Sequence, residues 1–358
     1  MGRIEAKLEH WRPMESQSKL SYENYLLPMG WKKPRLAVLT GMFDPFDDAF
    51  PVEQLDRLFS VILACVVLDN RPHTFQIATR FPERMRGYFA SRSPAEHLKA
   101  WAFAGDKAIH CDDGDVFFSE FVCGQTCHDW DEDGGNSSGS DYKPWGYTDK
   151  LFPLPNLWLG VVVENQADAD NRIPALLETP AAIRWACASP LIGHIDLTKL
   201  AQRDSKPPHN TWTESALHGG VTPYSEGQRL NAMAGAHARL DWVVAAGEIG
   251  PHARPVNPEW VRALRDQCAS ASVPFNFERW GEWAAAQEVG PDHMAFLKAQ
   301  RKYAEGQLGH VHCFPEVDVA RVGRRVAGRS LDGETHDAFP EGYLITSLSS
   351  STVGAGLA

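Results

Sequence analysis

Six short runs of β-branched, aromatic and small apolar residues recur along the chain, and helical spacing follows most of them. The first, RLAVLTGMFD at 35–44, is entered through Pro34, and after it Val52, Leu55, Leu58, Phe59 and Ile62 share one helical face. TFQIATR ends at Arg80, with Pro82 placed to open the next helix as an N1 proline. LWLGVVVEN at 157–165 precedes a helix over 170–177, and AIRWACAS ends at Ser189. LDWVVAAGE ends at Glu248 before the helical NPEWVRALRDQCASA, and PFNFERWG at 274–281 is the sixth. Near-continuous apolar strands separated by amphipathic helices imply a parallel sheet covered on both faces. Such a sheet closes as a partial barrel or lies open and doubly wound. The regular repeat favours an α/β fold of the first kind, a partial (β/α)6 TIM-like barrel of parallel strands with long polar insertions. Both geometries place ligands at the carboxyl ends of the strands.

The barrel is expected over residues 31–285, after a lead-in at 1–30. Polar, Gly-rich insertions interrupt it at 104–150 and 200–236, and a helical and irregular extension with an Arg-rich segment follows at 286–358. The 358 residues suit a single α/β barrel, and 43% hydrophobic residues can fill its core. A net charge of −11 repels nucleic acid and anionic membranes, so a polyanionic partner must be held by a local basic patch. No run nears the ~20 apolar residues of a membrane span, and MGRIEAKLEHWRP has no apolar signal core. A cytoplasmic protein without membrane attachment is expected, its seven scattered cysteines reduced.

The strand ends carry Asp44, Arg80, Glu164, Ser189, Glu248, and Glu278 with Arg279. A parallel barrel brings them to one rim, where carboxylates and guanidinium groups can supply a general acid, a general base and an anion clamp. Strand ends are also polar simply because they meet solvent. In GEIGPHARP, Gly247 and Gly250 let backbone N–H groups approach a ligand, or merely form a tight turn, and Arg254 can pair with phosphate or carboxylate. Pro45 biases Asp44 away from helical geometry, and that Asp serves as nucleophile or base, or caps the next segment.

His110-Cys111 and Cys123-x3-Cys127-His128 provide Cys111, Cys123, Cys127 and His128 as three thiolates and an imidazole for one zinc, or free thiols in a surface loop. DWDEDG after them has the first half of a calcium loop, but Ser140 stands where the bidentate Glu belongs, so a solvated acidic loop is the better account. Arg321, Arg324, Arg325 and Arg329 form the clearest basic run, fit for phosphate or for a solvated helix face, with Arg325 and Arg329 four apart. Trp280 and Trp283 can stack a base or simply pack.

WKKPRLAVLTGMFDPF, TFQIATRFPERM, LPNLWLGVVVENQADADNRIPALLETPAAIRWACASPL, LDWVVAAGEIGPHARPVNPEWVRALRDQC, PFNFERWGEW and RVGRRVAGRSLDG run in order from Trp31 to about Pro340. Together they resemble a family of uncharacterised, largely phage-encoded proteins with a radical-SAM-like barrel and a three-cysteine motif near the N-terminus. The departures from that family matter. Its triad lies upstream of WKKP, where this chain has no cysteine before Cys65. Ser189 stands for the family's Glu, Glu278 and Arg279 for its Lys-Gln pair, and Ala246 with Gly247 for its two glycines. Neither an iron–sulfur cluster at that place nor S-adenosylmethionine is therefore expected.

The resemblance and the strand-end chemistry imply an enzyme acting on a nucleobase or nucleotide, in DNA base modification within the host cytoplasm. A base-exchange, transglycosylase-like reaction would use Asp44 as nucleophile or base and Glu164 and Glu248 as acid–base or ribose-holding carboxylates. Arg80 and Arg254 would clamp the anion, with Ser189, Glu278, Trp280 and Arg325 also facing the substrate. The alternatives are an inactive barrel kept as a binding or regulatory protein, and a radical SAM enzyme truncated before its cluster motif.

Overall fold

Seven strands follow one another in chain order across the main sheet of the computed structural model: β1 (Lys7–His10), β2 (Arg35–Leu39), β3 (Thr74–Thr79), β4 (Leu157–Val162), β5 (Ile183–Ala188), β6 (Trp242–Ala246) and β7 (Phe275–Arg279). The structure describes residues 7–16, 19–21, 24–39, 44–68, 73–109, 116–126, 147–201, 211–225, 228–229, 238–290 and 293–340. Pairing is parallel at β1–β2, β2–β3, β5–β6 and β6–β7. A doubly wound sheet must reverse its strand order at a switch point, and this order never reverses. The fold is α/β, of the partial-barrel class that the repeats predict.

A seventh strand joins the six that the repeats predict. KLEH lies inside the expected lead-in, is four residues long and ends the strand order. It lacks the apolar run that marks strands buried on both faces. Contacts divide the chain into two compact units, with the boundary inside β4. One is Met1–Leu159, Thr179–Ala182 and Leu344–Ala358; the other is Gly160–Glu178 and Ile183–Tyr343.

In the first unit, helix α1 (Val52–Val67) buries Leu55, Leu58, Phe59 and Ile62 completely, each worth roughly 1.5–3 kcal/mol. Helix α2 (Pro82–Ala90) opens on its N1 proline, and α3 (Pro94–Gly105) on a capping box between Ser93 and Glu96. Phe59 stacks between Tyr88 (5.5 Å) and Trp101 (5.1 Å). The 104–150 insertion is not wholly irregular: it contains α4 (Phe118–Thr126). Asp106 caps α4 through the backbone N–H of Ser119 (2.7 Å) and its hydroxyl (2.9 Å). Phe118 lies so close over Gly105 that a Cβ there would come within 2.6 Å of its ring.

In the second unit, α5 (Gln166–Leu177) and α6 (Pro258–Ser270) start at Asn165 and Asn257, each accepting a first-turn N–H. The Trp185 indole lies over Gly160, where a Cβ would come within 2.6 Å of the ring. The 200–236 insertion carries antiparallel strands at Leu200–Ala201, Thr211–Ser215, Gly220–Ser225 and Gln228–Arg229, which its Gly and Pro content concealed. After β7 come β8 (Trp283–Ala285), helix α7 (Met294–Ala304), β9 (Val311–Cys313) and β10 (Asp318–Arg321), the three strands pairing antiparallel. The chain then returns along the main sheet. Phe277 N donates to His336 O (2.9 Å) and the Trp242 indole to Ala338 O (2.8 Å). Among the described residues no helix is long and apolar enough to cross a membrane.

Candidate functional site

In the first unit Asp44 lies beyond β2, beside the end of β3. The Thr79 hydroxyl donates to both carboxylate oxygens (2.8 and 2.9 Å), and the N–H groups of Arg80 and Phe46 add bonds of 2.8 and 3.0 Å. Burial holds this carboxyl above its ordinary range, against the opposing pull of those backbone donors. The carboxylate therefore joins two strand ends and caps the turn through Phe46, which leaves little lone-pair capacity for attack on a substrate. Of the two roles the sequence allows it, the structure describes the capping one. The Arg80 side chain is exposed.

In the second unit Glu164 and Glu248 lie two residues beyond β4 and β6, with Ser189 one residue beyond the intervening β5. Arg254 donates to Glu248 through Nε (2.7 Å), Nη2 (2.9 Å) and its own backbone N–H (2.7 Å). The same Nη2 is 3.7 Å from a Glu164 oxygen. The Arg254 guanidinium holds the Glu248 carboxyl below its usual range, against partial burial. With side chains 26% and 48% exposed, this pair contributes at most about 1 kcal/mol to stability, so its consequence is geometric. No acceptor among the described residues engages the Arg254 Nη1 nitrogen.

Backbone bonds fix the neighbouring segments. Asp168 accepts from Glu164 N (3.1 Å) and pairs with Arg172 (2.9 Å). Beyond half-buried Ser189, Ile192 and Gly193 donate to Glu164 O (2.9 and 3.1 Å) while Leu191 donates to Ala246 O (2.9 Å). That loop is laced to the strand ends on either side of it.

The residues that hold the Arg254 loop are Glu282, Trp283 and Arg321. Glu282 accepts from Gly250 N (3.1 Å), and its own N–H donates to Glu248 O (3.0 Å). The Trp283 indole donates to Ala253 O (2.7 Å). Arg321 donates to the carbonyls of Gly250 and Pro251, both at 2.7 Å, with its guanidinium 5.9 Å from the Trp283 ring. Arg321 is visible in the sequence as part of a basic run, but a partner about 70 residues away carries no local signal.

Several expected roles change. Gly247 serves packing: a Cβ there would collide with the Trp280 carbonyl, and one at Gly281 (φ +82°) with that of Glu248. Gly250 has φ +107°, which an L side chain adopts only with strain. Trp280 is 1% exposed and gives its indole N–H to Ser330 O (2.6 Å), so it offers no face to a base. Trp283 is buried too. Glu278 pairs with its neighbour Arg279 (2.8 Å). Arg325 is exposed but shares no helix face with Arg329, because that helix is only Arg324–Ala327, Gly328 adopts φ +66°, and Arg329 pairs with Asp337.

Cys111, Cys127, His128 and the acidic run at 129–134 lie outside the described residues; Cys123 is half-buried on α4. Among the described residues no three His, Cys, Asp or Glu side chains are placed to hold a metal. Cys65, Cys187 and Cys268 are buried, and burial pushes the Cys268 thiol up to about 12.

A parallel α/β sheet of barrel order, with a carboxylate–guanidinium cluster at its strand ends, defines the class of protein. A family model described as "Protein of unknown function (DUF5131)" matches residues 1–340, and the chain belongs to that family. No curated protein and no solved structure matches it.

Proposed function

We propose that this chain is an enzyme acting on a nucleobase or nucleotide at the strand ends of its second unit. Arg254 carries the reading: it is oriented by two side-chain bonds to Glu248, is half exposed, and keeps Nη1 unengaged among the described residues. A base edge offers an acceptor beside an N–H, and a guanidinium next to a carboxylate matches that pair. In this reading Arg254 binds the acceptor or a phosphate, Glu164 moves the proton, and Glu248 positions Arg254.

Base exchange during phage DNA modification is the finer form of the proposal and rests on the resemblance of the strand motifs. The nitrogen of the incoming base would displace the departing base at the sugar carbon, with Glu164 giving a proton to the leaving nitrogen and taking one from the incoming base. Asp44, its oxygens filled by neighbouring donors, is not given the nucleophile's role. That saturation also favours a second reading, a binding protein without turnover.

The test is to incubate the full chain with nucleotides, DNA and isotopically labelled free bases, and follow product mass. The enzyme reading expects a labelled or altered base, formed at least about 100-fold more slowly by Glu164→Gln, roughly 2.7 kcal/mol of barrier. Binding of a nucleotide or DNA without turnover, unchanged in Glu164→Gln, would leave the binding-protein reading in its place.

A further inference from the structure

The first unit contains a groove of about 670 Å³, between the start of α1, the end of α3 and the residues Lys19, Leu20 and Tyr25. That volume is within the ~300–1,000 Å³ of small-molecule sites. Its apolar lining includes Leu20, Tyr25, Ala100 and Ala104, with Phe103 on the lip at 55% exposure. Together these side chains give the groove an apolar wall that suits an apolar body.

The charges around this groove run against those of the whole molecule. Arg57 and Lys107 line it as exposed cations and Lys19 is a third. Two carboxylates share the lining, Glu53 and Asp56. Asp56 is already neutralised from behind: Arg92 grips both its oxygens (2.8 and 3.0 Å) and the Tyr88 hydroxyl donates to it (2.7 Å). Arg57 and Lys107 against the one remaining carboxylate leave this part of the lining net positive in a chain of net −11. The positive end of α1 and the negative end of α3 both meet the groove, so the helix dipoles offset and the side chains set the sign.

We propose that this groove is a binding site, separate from the strand-end cluster, for a small organic anion with an apolar body. The apolar wall takes the body, and Arg57 and Lys107 take the charge. Arg92, Tyr88 and the Trp101 indole, which donates to the Tyr88 hydroxyl (2.7 Å), keep Asp56 from opposing it.

The experiment titrates the full chain with 8-anilinonaphthalene-1-sulfonate, following fluorescence, beside its neutral parent 1-anilinonaphthalene. The expected result is one saturable site for the anion, weakened by salt. It should be roughly tenfold weaker in Arg57→Glu/Lys107→Glu, as reversing two exposed charges implies, and lost in Ala104→Trp, which fills the groove. Both reversed residues are exposed, so the double variant keeps its circular dichroism and decides the matter even if Ala104→Trp fails to fold. Affinity within twofold in the double variant, equal affinity for the neutral parent, or unchanged binding in a folded Ala104→Trp would each overturn the proposal.

Discussion

Asp44 and Glu248 each follow a parallel strand, five and two residues beyond its end, yet their surroundings push them in opposite directions. Asp44 is bonded by a hydroxyl and two backbone amides within a half-buried setting, where the burial it does have holds its carboxyl high. Glu248 meets a guanidinium in a half-open one, and its carboxyl is held low. Neutral donors that belong to the fold consume a carboxylate's capacity and make it structure. A charged partner with one nitrogen unengaged makes it half of a binding device.

The largest expected effect breaks the second of these ends. Gly247→Ala places a methyl against the Trp280 carbonyl, backbone on backbone, with no flexible side chain to yield. The loss should exceed about 3 kcal/mol, seen as an unfolding midpoint shifted in urea or no folded protein at all. A smaller loss would mean that the two turns are free to separate.

Next, Asp44→Asn leaves an amide NH2 facing donors that need acceptors. It should cost roughly 2 kcal/mol in the same assay, near the penalty for unsatisfied buried groups. A neutral result would show that Asp44 is not the clamp between β2 and β3.

The smallest effect sharpens the comparison by sign. Because its folded value is raised, Asp44 contributes stability that is present at acid pH and lost as pH rises through that value. Glu248 contributes stability that is present above the ordinary carboxylate range and lost on acidification through its lowered value. On acidification the deficit of Asp44→Asn should grow and that of Glu248→Gln, under about 1 kcal/mol at neutrality, should shrink. Parallel slopes in paired denaturation series would sink the contrast.

What the sequence shows is what local periodicity can encode. The six apolar strands and the helices at 52–67, 82–90 and 258–270 are read directly from spacing and N1 prolines. KLEH is not, because a short polar strand at the end of the order looks like a loop. Glu164, Glu248 and Arg254 are legible as strand-end polar residues, and Arg254 as a partner for carboxylate. Gly247 is legible as a necessary glycine, but the necessity is the Trp280 carbonyl. Trp280 shows the limit: an aromatic in a polar turn reads the same whether it is exposed or, as here, 1% accessible. The bracing by Glu282, Trp283 and Arg321 depends on contacts spanning 30 to 71 positions, which no window reveals.

Those spans put a clock on the molecule. Gly250 receives its bond from Arg321, 71 residues later, and Trp280 waits 50 residues for Ser330. At ordinary synthesis speeds of about 5–20 residues per second, the Arg254 loop is complete only some 4 to 14 seconds after Gly250 is made. A nascent chain stopped before residue 320 would possess its parallel strands and both carboxylates, yet hold the Arg254 loop by Glu282 and Trp283 alone, without the two Arg321 bonds. Two of that loop's bonds thus wait for a residue made 67 positions after Arg254 itself.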